Sequence, residues 1–254
     1  MTVHQEPPTT AAAAPEPRMI WVRLAVDPLA VPLSRRLLKW RWVTADRVTL
    51  LAFGLALGAA GCFAAGALRW GGALFLARFF FDCVDGMIAR GRGSSSARGA
   101  ALDISADVVG THLVAAALAM HLVAEGHAPL AAGMLLLAVL GIHNWSLAHR
   151  KALASQAGLG GGGFDHGWRR RPPGLRRWIN FSQRHGMVAF PWVLEVEILV
   201  FGLGPLLLPP SALHWTVWFG CAGFAAVAAV SLLRIRHITG RLDAARTEHR
   251  RTSV

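Results

Sequence analysis

Four aspartates stand in a fixed pattern inside a hydrophobic region of this chain. They read Asp82-x-x-Asp85-Gly86-x-x-Ala89-Arg90 and then, after eight residues, Gly99-x-x-x-Asp103-x-x-x-Asp107. A charged Asp near the middle of a membrane helix costs about 2.5–3.5 kcal/mol on insertion scales, and less near the interface. Four carboxylates in such a setting need compensation, and divalent cations are the obvious source. The spacing supports that reading. Asp82 and Asp85 are i, i+3, and Asp103 and Asp107 are i, i+4, so each pair shares a helix face. Gly86 and Ala89 extend the first face, and Gly99 extends the second. These small residues leave room for a backbone or ligand to approach. Gly91-Arg92-Gly93-Ser94-Ser95-Ser96 between the pairs reads as a polar turn. Two helices joined by so short a turn lie antiparallel, which lets all four carboxylates converge. An all-oxygen site suits hard cations such as Mg²⁺, Mn²⁺ or Ca²⁺, and two of them about 3.5–4 Å apart can clamp a phosphoryl transfer.

The setting is a membrane. Hydrophobic residues make up 54% of the chain and charged residues 16%, against about 25% charged in an ordinary soluble domain. The mean hydropathy is +0.43. Apolar stretches of about 20 residues, the length needed to cross a bilayer, run over Val48–Leu68, Trp70–Ala89, Ala100–Ala124, Pro129–Ala148, Met187–Leu208 and Ala212–Leu233. None alternates as a barrel strand would. The fold class expected is therefore an all-α, polytopic membrane protein with six transmembrane helices in one catalytic domain over residues 48–235.

Basic residues set the expected orientation. Arg35, Arg36, Lys39, Arg41 and Arg47 precede the first span, and Arg90, Arg92 and Arg98 lie between the second and third. Eight more, from Arg150 to Arg184, lie between the fourth and fifth, and Arg234, Arg236 and Arg241 follow the sixth. The opposite loops carry only Arg69. By the positive-inside rule both termini and the active-site turn face the cytoplasm. The formal net charge of +12 then reflects topology and contact with anionic headgroups rather than nucleic-acid binding.

Outside the spans, residues 1–18 read as a disordered tail rich in Pro, Ala and Thr, without the basic and apolar regions of a secretory signal. Residues 19–47 mix apolar and basic residues with Trp21, Trp40 and Trp42, which suits an interfacial amphipathic segment. Pro28 and Pro32 argue against one uninterrupted helix there. Residues 150–185 form the long cytoplasmic loop. Residues 236–254 form a cytoplasmic tail, read as a helix end that frays. Cys62, Cys83 and Cys221 have no metal-ligand spacing and read as packing residues. His112 and His121 read the same way. Glu195 and Glu197 are ionisable groups inside a span, hence functional candidates. They are two apart and do not share a helix face. Arg78, one turn before Asp82, is placed to balance the carboxylates.

The aspartate pattern resembles the signature of the CDP-alcohol phosphotransferase family, D-x-x-D-G-x-x-A-R-(x)8-G-x-x-x-D-x-x-x-D, and every fixed position matches. Upstream, Ala45-Asp46-Arg47-Val48-Thr49-Leu50 is similar to the family's Pro-Asn-x-(Ile/Val)-Thr-Leu, with Ala45 in place of Pro and Asp46 in place of Asn. The likeness runs from about Val31 to Val123. It implies an inner-membrane enzyme of phospholipid biosynthesis that transfers a substituted phosphoryl group from a CDP-alcohol, CDP-diacylglycerol first among them, to the hydroxyl of an acceptor alcohol, releasing CMP. By the resemblance Asp82, Asp85, Asp103 and Asp107 hold two Mg²⁺ or Mn²⁺ ions, and Asp107 is the catalytic general base. Asp82, Gly86, Ala89, Arg90 and Gly99 line the CDP site, Arg90 near the pyrophosphate. Family members are commonly homodimers, so a homodimer is expected. Glu195, Glu197 and Arg78 are the candidates for acceptor binding. The competing class is a divalent-cation transporter or channel using the Asp cluster as its ion site. Gly86, Ala89 and Arg90 discriminate, because a cation path does not need a guanidinium beside its carboxylates and a nucleotide site does.

Overall fold

The structure is a computed structural model of the 254-residue chain, and it describes residues 22–94, 96–157, 173–185 and 193–252. Among these every regular element is helical. The order is a π-helical turn Val22–Val26, α1 (Asp27–Leu37), α2 (Ala45–Ala64), α3 (Leu68–Gly91), α4 (Ala97–Ala124), α5 (Leu130–Gln156) and α6 (Pro173–Arg184). Then come α7 (Val193–Glu197), a π-helical stretch Ile198–Leu203, α8 (Gly204–Leu207), a 3-10 turn Pro210–Ala212 and α9 (Leu213–Thr252).

Four helical stretches are long and apolar enough to cross a membrane: Ala45–Ala64, Ala97–Ala124, Leu130–Gln156 and Pro210–Gly240. They coincide with four of the six expected spans. The second expected span is α3, which at about 1.5 Å per residue is long enough to cross. It carries Arg69, Arg78, Asp82, Asp85 and Arg90, and those charges keep it below the same apolar criterion. The fifth expected span begins at Met187, outside the described residues, and its described part is the interrupted helix α7 to α8.

Helices α2, α3 and α4 pack together, α5 pairs with α9, and the α7 to α8 segment lies against α3. Tight turns make α2 and α3 antiparallel neighbours, and α4 packs on α2. Gly66 turns the chain after α2 with φ 76° and Gly126 turns it after α4 with φ 71°, a region that side-chain-bearing residues rarely enter. The larger core joins Ala56, Phe63, Phe75, Leu118, Leu136, Phe201 and Phe224 from both halves. A second core, with Val48, Phe79, Val84, Ile88 and Ile198, sits under α1 and behind the aspartates. Small residues set the close crossings. A Cβ added at Gly72 of α3 would stand 2.5 Å from the Gly202 carbonyl oxygen, and one added at Gly202 would stand 2.5 Å from Leu76. The π-helical stretch therefore lies directly on the α3 backbone.

The N-terminal segment is helical on both sides of Pro28. The proline occupies the first turn of α1, where its missing N–H costs no hydrogen bond, and the interruption expected there is a change of helical pitch at Asp27. Pro32 lies inside α1, which continues past it to Leu37. At the other end α9 continues to Thr252, so the described part of the polar tail is regular helix. The tail up to Trp21, and residues 158–172 of the loop with their glycine and arginine runs, lie outside the described residues.

Candidate active site at the ends of α2, α3 and α4

The N-terminus of α2, the C-terminus of α3 and the N-terminus of α4 meet at one end of the bundle. Side-chain caps define two of them. The Thr44 hydroxyl accepts from the Arg47 N–H at 3.3 Å, and the Ser96 hydroxyl accepts from the Gly99 N–H at 3.0 Å. Two helix N-termini aimed at one place give it a positive local potential. Arg92 donates to the Trp40 carbonyl at 2.7 Å and so ties the turn after α3 to the segment after α1.

One to two turns inside that end, α3 and α4 bring three aspartates together. Carboxylate oxygens of Asp82, Asp85 and Asp103 all lie within 4.8 Å of one another. At Mg²⁺–oxygen distances of about 2.1 Å, two oxygens on one ion stand at most roughly 4.2 Å apart. A small rotation of one side chain closes the difference. The donor set is all carboxylate and the residues fit a hard divalent cation. Asp85 is buried and accepts a hydrogen bond from the Thr49 hydroxyl of α2 at 2.7 Å. Thr49 also lies 3.1 Å from the Ala45 carbonyl. The upstream Thr thus acts on the aspartates, a role the sequence reading left unassigned although Thr49 stood in the matched lead-in.

Asp107 is placed differently. It lies one turn further along α4 and forms an ion pair with Arg78 of α3 through Oδ1. Arg78 is almost fully buried while the Asp107 side chain is 46% exposed, so the carboxylate keeps one side open. The Arg78 guanidinium also lies 5.2 Å from the centre of the Phe75 ring. Glu197 interacts electrostatically with Arg78, Asp107 and Asp82. Glu195, two residues earlier, is buried.

The remaining motif positions line the mouth. Arg90 folds back one turn over Gly86, where an added Cβ would stand 3.2 Å from its guanidinium. An added Cβ at Gly99 would stand 3.3 Å from Asp46 Oδ1, so the residue replacing the usual Asn faces the start of α4. Ala89 is half-buried between Ile88 and Arg90.

A second polar group lies where α5 meets α9. His143, Ser146 and Arg150 share one stripe of α5, and His143 and Ser146 are buried. Arg150 lies within electrostatic range of both His143 and Arg234 of α9. Arg150 and Arg234 are among the basic residues that set the expected orientation. The i, i+3, i+7 spacing of 143, 146 and 150 was the available signal. The His112 Nδ1 lies 2.7 Å from the Val108 carbonyl of its own helix. The three cysteines are free.

A family model described as CDP-alcohol phosphatidyltransferase matches residues 42–194, more than half of the chain. The chain belongs to that family, and the cation-path alternative has no comparable support. The bifunctional IPC transferase and DIPP synthase of Rubrobacter xylanophilus is 39% identical over 119 residues, which are 45% of this chain and 27% of that protein. The chain thus matches about a quarter of the length of this curated relative. The fold is similar to that of Mycobacterium tuberculosis phosphatidylinositol phosphate synthase (PgsA1). Its structure with CDP-DAG bound is 21% identical with a TM-score of 0.54, covering 82% of this chain and 94% of that one. Its complex with manganese and citrate is 23% identical with a TM-score of 0.54, covering 82% and 88%.

Proposed function

We propose that this chain transfers a substituted phosphoryl group from a CDP-alcohol to the hydroxyl of an anionic acceptor alcohol, releasing CMP. The observation that carries the reading is the convergence of Asp82, Asp85 and Asp103 beside a separately held Asp107. Such a division suits a reaction that needs both charge neutralisation and a base.

Each residue has a role in that reaction. Arg90, lying over Gly86, meets the donor pyrophosphate with a guanidinium able to make bidentate contacts. Gly86, Ala89 and Gly99 leave space for the nucleotide, and the N-termini of α2 and α4 favour its negative charge. Asp107 takes the proton of the acceptor hydroxyl, whose oxygen attacks the phosphorus bearing the donor alcohol. The bond from that phosphorus to the CMP oxygen breaks, and CMP leaves with the bond's electron pair. An alcohol is a weak nucleophile at neutral pH, so a positioned carboxylate contributes about 10²–10⁴-fold. Asp82, Asp85 and Asp103, with Asp107 at the edge of the cluster, are the residues to hold two Mg²⁺ or Mn²⁺ ions. When bound, such ions supply electrostatic stabilisation of the charge that develops on the pyrophosphate. The manganese complex of the similar synthase supports a divalent cation here.

The donor proposed first is CDP-diacylglycerol, the molecule named in the PgsA1 structure. Asp107 stands on the acceptor side, with Arg78 paired to it and Glu197 within electrostatic range of both. Arg150 of α5, within electrostatic range of Arg234 of α9, supports an acceptor that carries phosphate, such as an inositol phosphate or glycerol 3-phosphate. The reading takes six membrane helices, with α3 and the α7 to α8 segment as the second and fifth, and the basic residues flanking the spans support a site on the cytoplasmic face of the inner membrane. A homodimer is the expected assembly.

The test is CMP release by the purified chain in detergent, with CDP-diacylglycerol, Mg²⁺ or Mn²⁺, and pooled acceptors. Metal-dependent release that requires one acceptor, and is lost in Asp107→Asn, is the expected result. No release with lipid or soluble CDP-alcohols, together with no binding of either, would overturn the proposal.

A further inference from the structure

The group formed by Arg78, Asp107 and Glu197 lies outside the matched signature except for Asp107. Its construction is visible in the packing. The π-helical stretch crosses α3 at Gly72 and Gly202, and no side chain fits between the backbones there. From that crossing α3 runs six residues to Arg78, and the facing segment runs back five residues to Glu197. At about 1.5 Å per residue the α3 path is roughly 9 Å long, and the π-helical stretch packs along α3 beside it. Glu197 is the last residue of α7, next to the change of helical pitch, and such π insertions recur at functional sites. The guanidinium is almost fully buried, packed on Phe75, and bonded to Asp107. A buried guanidinium is retained only where its charge is met. Here it is met directly by Asp107 of α4, and Glu197 of α7 lies within electrostatic range.

We infer that Arg78 is a positioning residue for Asp107, and that the neighbouring Glu197 carboxylate helps keep the guanidinium there by its charge, without a direct ion pair. The ion pair is made through Asp107 Oδ1, so Oδ2 is the oxygen directed to the acceptor proton. Arg78 thereby fixes which lone pairs of the base face the reaction. Glu197 acts through Arg78 and not on the substrate, and the α7 to α8 segment becomes part of the catalytic apparatus. The inference rests on the proposed role of Asp107 as the base.

The experiment uses the full chain in detergent with CDP-diacylglycerol, Mn²⁺ and its acceptor, comparing Arg78→Gln, Arg78→Lys, Glu197→Gln and the Arg78→Gln/Glu197→Gln double variant. Misorienting a reacting group by about 1 Å costs about 100-fold in rate. Arg78→Gln is therefore expected to lower kcat about 100-fold, with donor affinity and acceptor KM changed no more than about threefold. Arg78→Lys, which keeps the charge and loses the fork, recovers part of kcat. Glu197→Gln lowers kcat about tenfold, as removal of such supporting partners does, and has no further effect once Arg78 is Gln. Unchanged kcat with raised acceptor KM in Arg78→Gln would make Arg78 an acceptor ligand and overturn the inference. Independent, multiplying losses from the two sites would overturn the link to Glu197. Thermal unfolding of the same four variants separates the levels of failure. Coupled shifts at positions 78 and 197 in a chain that releases no CMP uphold the link and overturn the proposed reaction. Uncoupled shifts overturn the link whatever the activity.

Discussion

Thr49 and Asp85 show how one hydrogen bond carries function from one helix to another. The Thr49 hydroxyl donates to a buried carboxylate at 2.7 Å, fixing the orientation of one member of the Asp82, Asp85, Asp103 group. Partners of this kind typically contribute 10–100-fold in metal affinity or activity. Thr49→Val keeps the shape and removes the donor. It is expected to weaken Mn²⁺ affinity about tenfold with little change in fold, read by calorimetric titration and circular dichroism. The two kinds of aspartate separate by assay as well. Asp107→Asn should abolish acceptor-dependent CMP release while leaving CDP-alcohol binding within about threefold, since the base acts after the donor has bound. Asp82→Asn should weaken metal and donor binding together, because its carboxylate belongs to the cluster. Equal activity in Asp107→Asn and wild type would remove the base assignment.

At the scale of elements, the site depends on where three helix ends stop. Ser96 caps α4 and the cap is local, visible in Ser96 followed three residues later by Gly99. Removing such a cap costs about 0.5–2 kcal/mol. Ser96→Ala should lower the unfolding free energy by that amount and raise the KM for the CDP-alcohol, because the first turn of α4 that carries Gly99 then frays. The crossing of α3 and the π-helical stretch is the stricter constraint. Gly72→Val would force apart two backbones in contact. Overpacking of that kind costs about 1–3 kcal/mol, and the displaced α7 to α8 segment should lower kcat more than donor affinity. Thermal unfolding and initial rates measured on one preparation check both effects.

For the whole molecule, the crowding of three carboxylates links stability to cation binding. Like charges held within 4.8 Å repel, and a cation that binds only the folded state adds RT ln(1 + [L]/Kd), about 2.7 kcal/mol at a hundredfold excess over Kd. Chelation should therefore lower the melting temperature and end CMP release together, and Mg²⁺ or Mn²⁺ should restore both. Asp82→Asn should blunt the thermal response. A melting temperature indifferent to chelator would argue against a cation at this cluster. The two halves of the chain contribute unequally. The first supplies the aspartates and their signature, while the proposed contributions of Glu197, Arg150 and Arg234 come from the second.

The chain's local chemistry determined the class of protein, the four aspartates and the paired faces of α3 and α4, because helical periodicity and side-chain type are properties of short stretches. It also determined four of the long apolar helices, since hydropathy sums over about 20 residues. Tertiary structure decided the rest. It split the aspartates into a group of three and an Asp107 bound to Arg78, because the partner of a carboxylate depends on which helix face meets it. Glu197 and not Glu195 came to Arg78 through a backbone crossing at two glycines more than a hundred residues apart. Arg150 and Arg234 met because α5 pairs with α9. Contacts between distant segments have no periodic trace in either segment, and only packing fixes them.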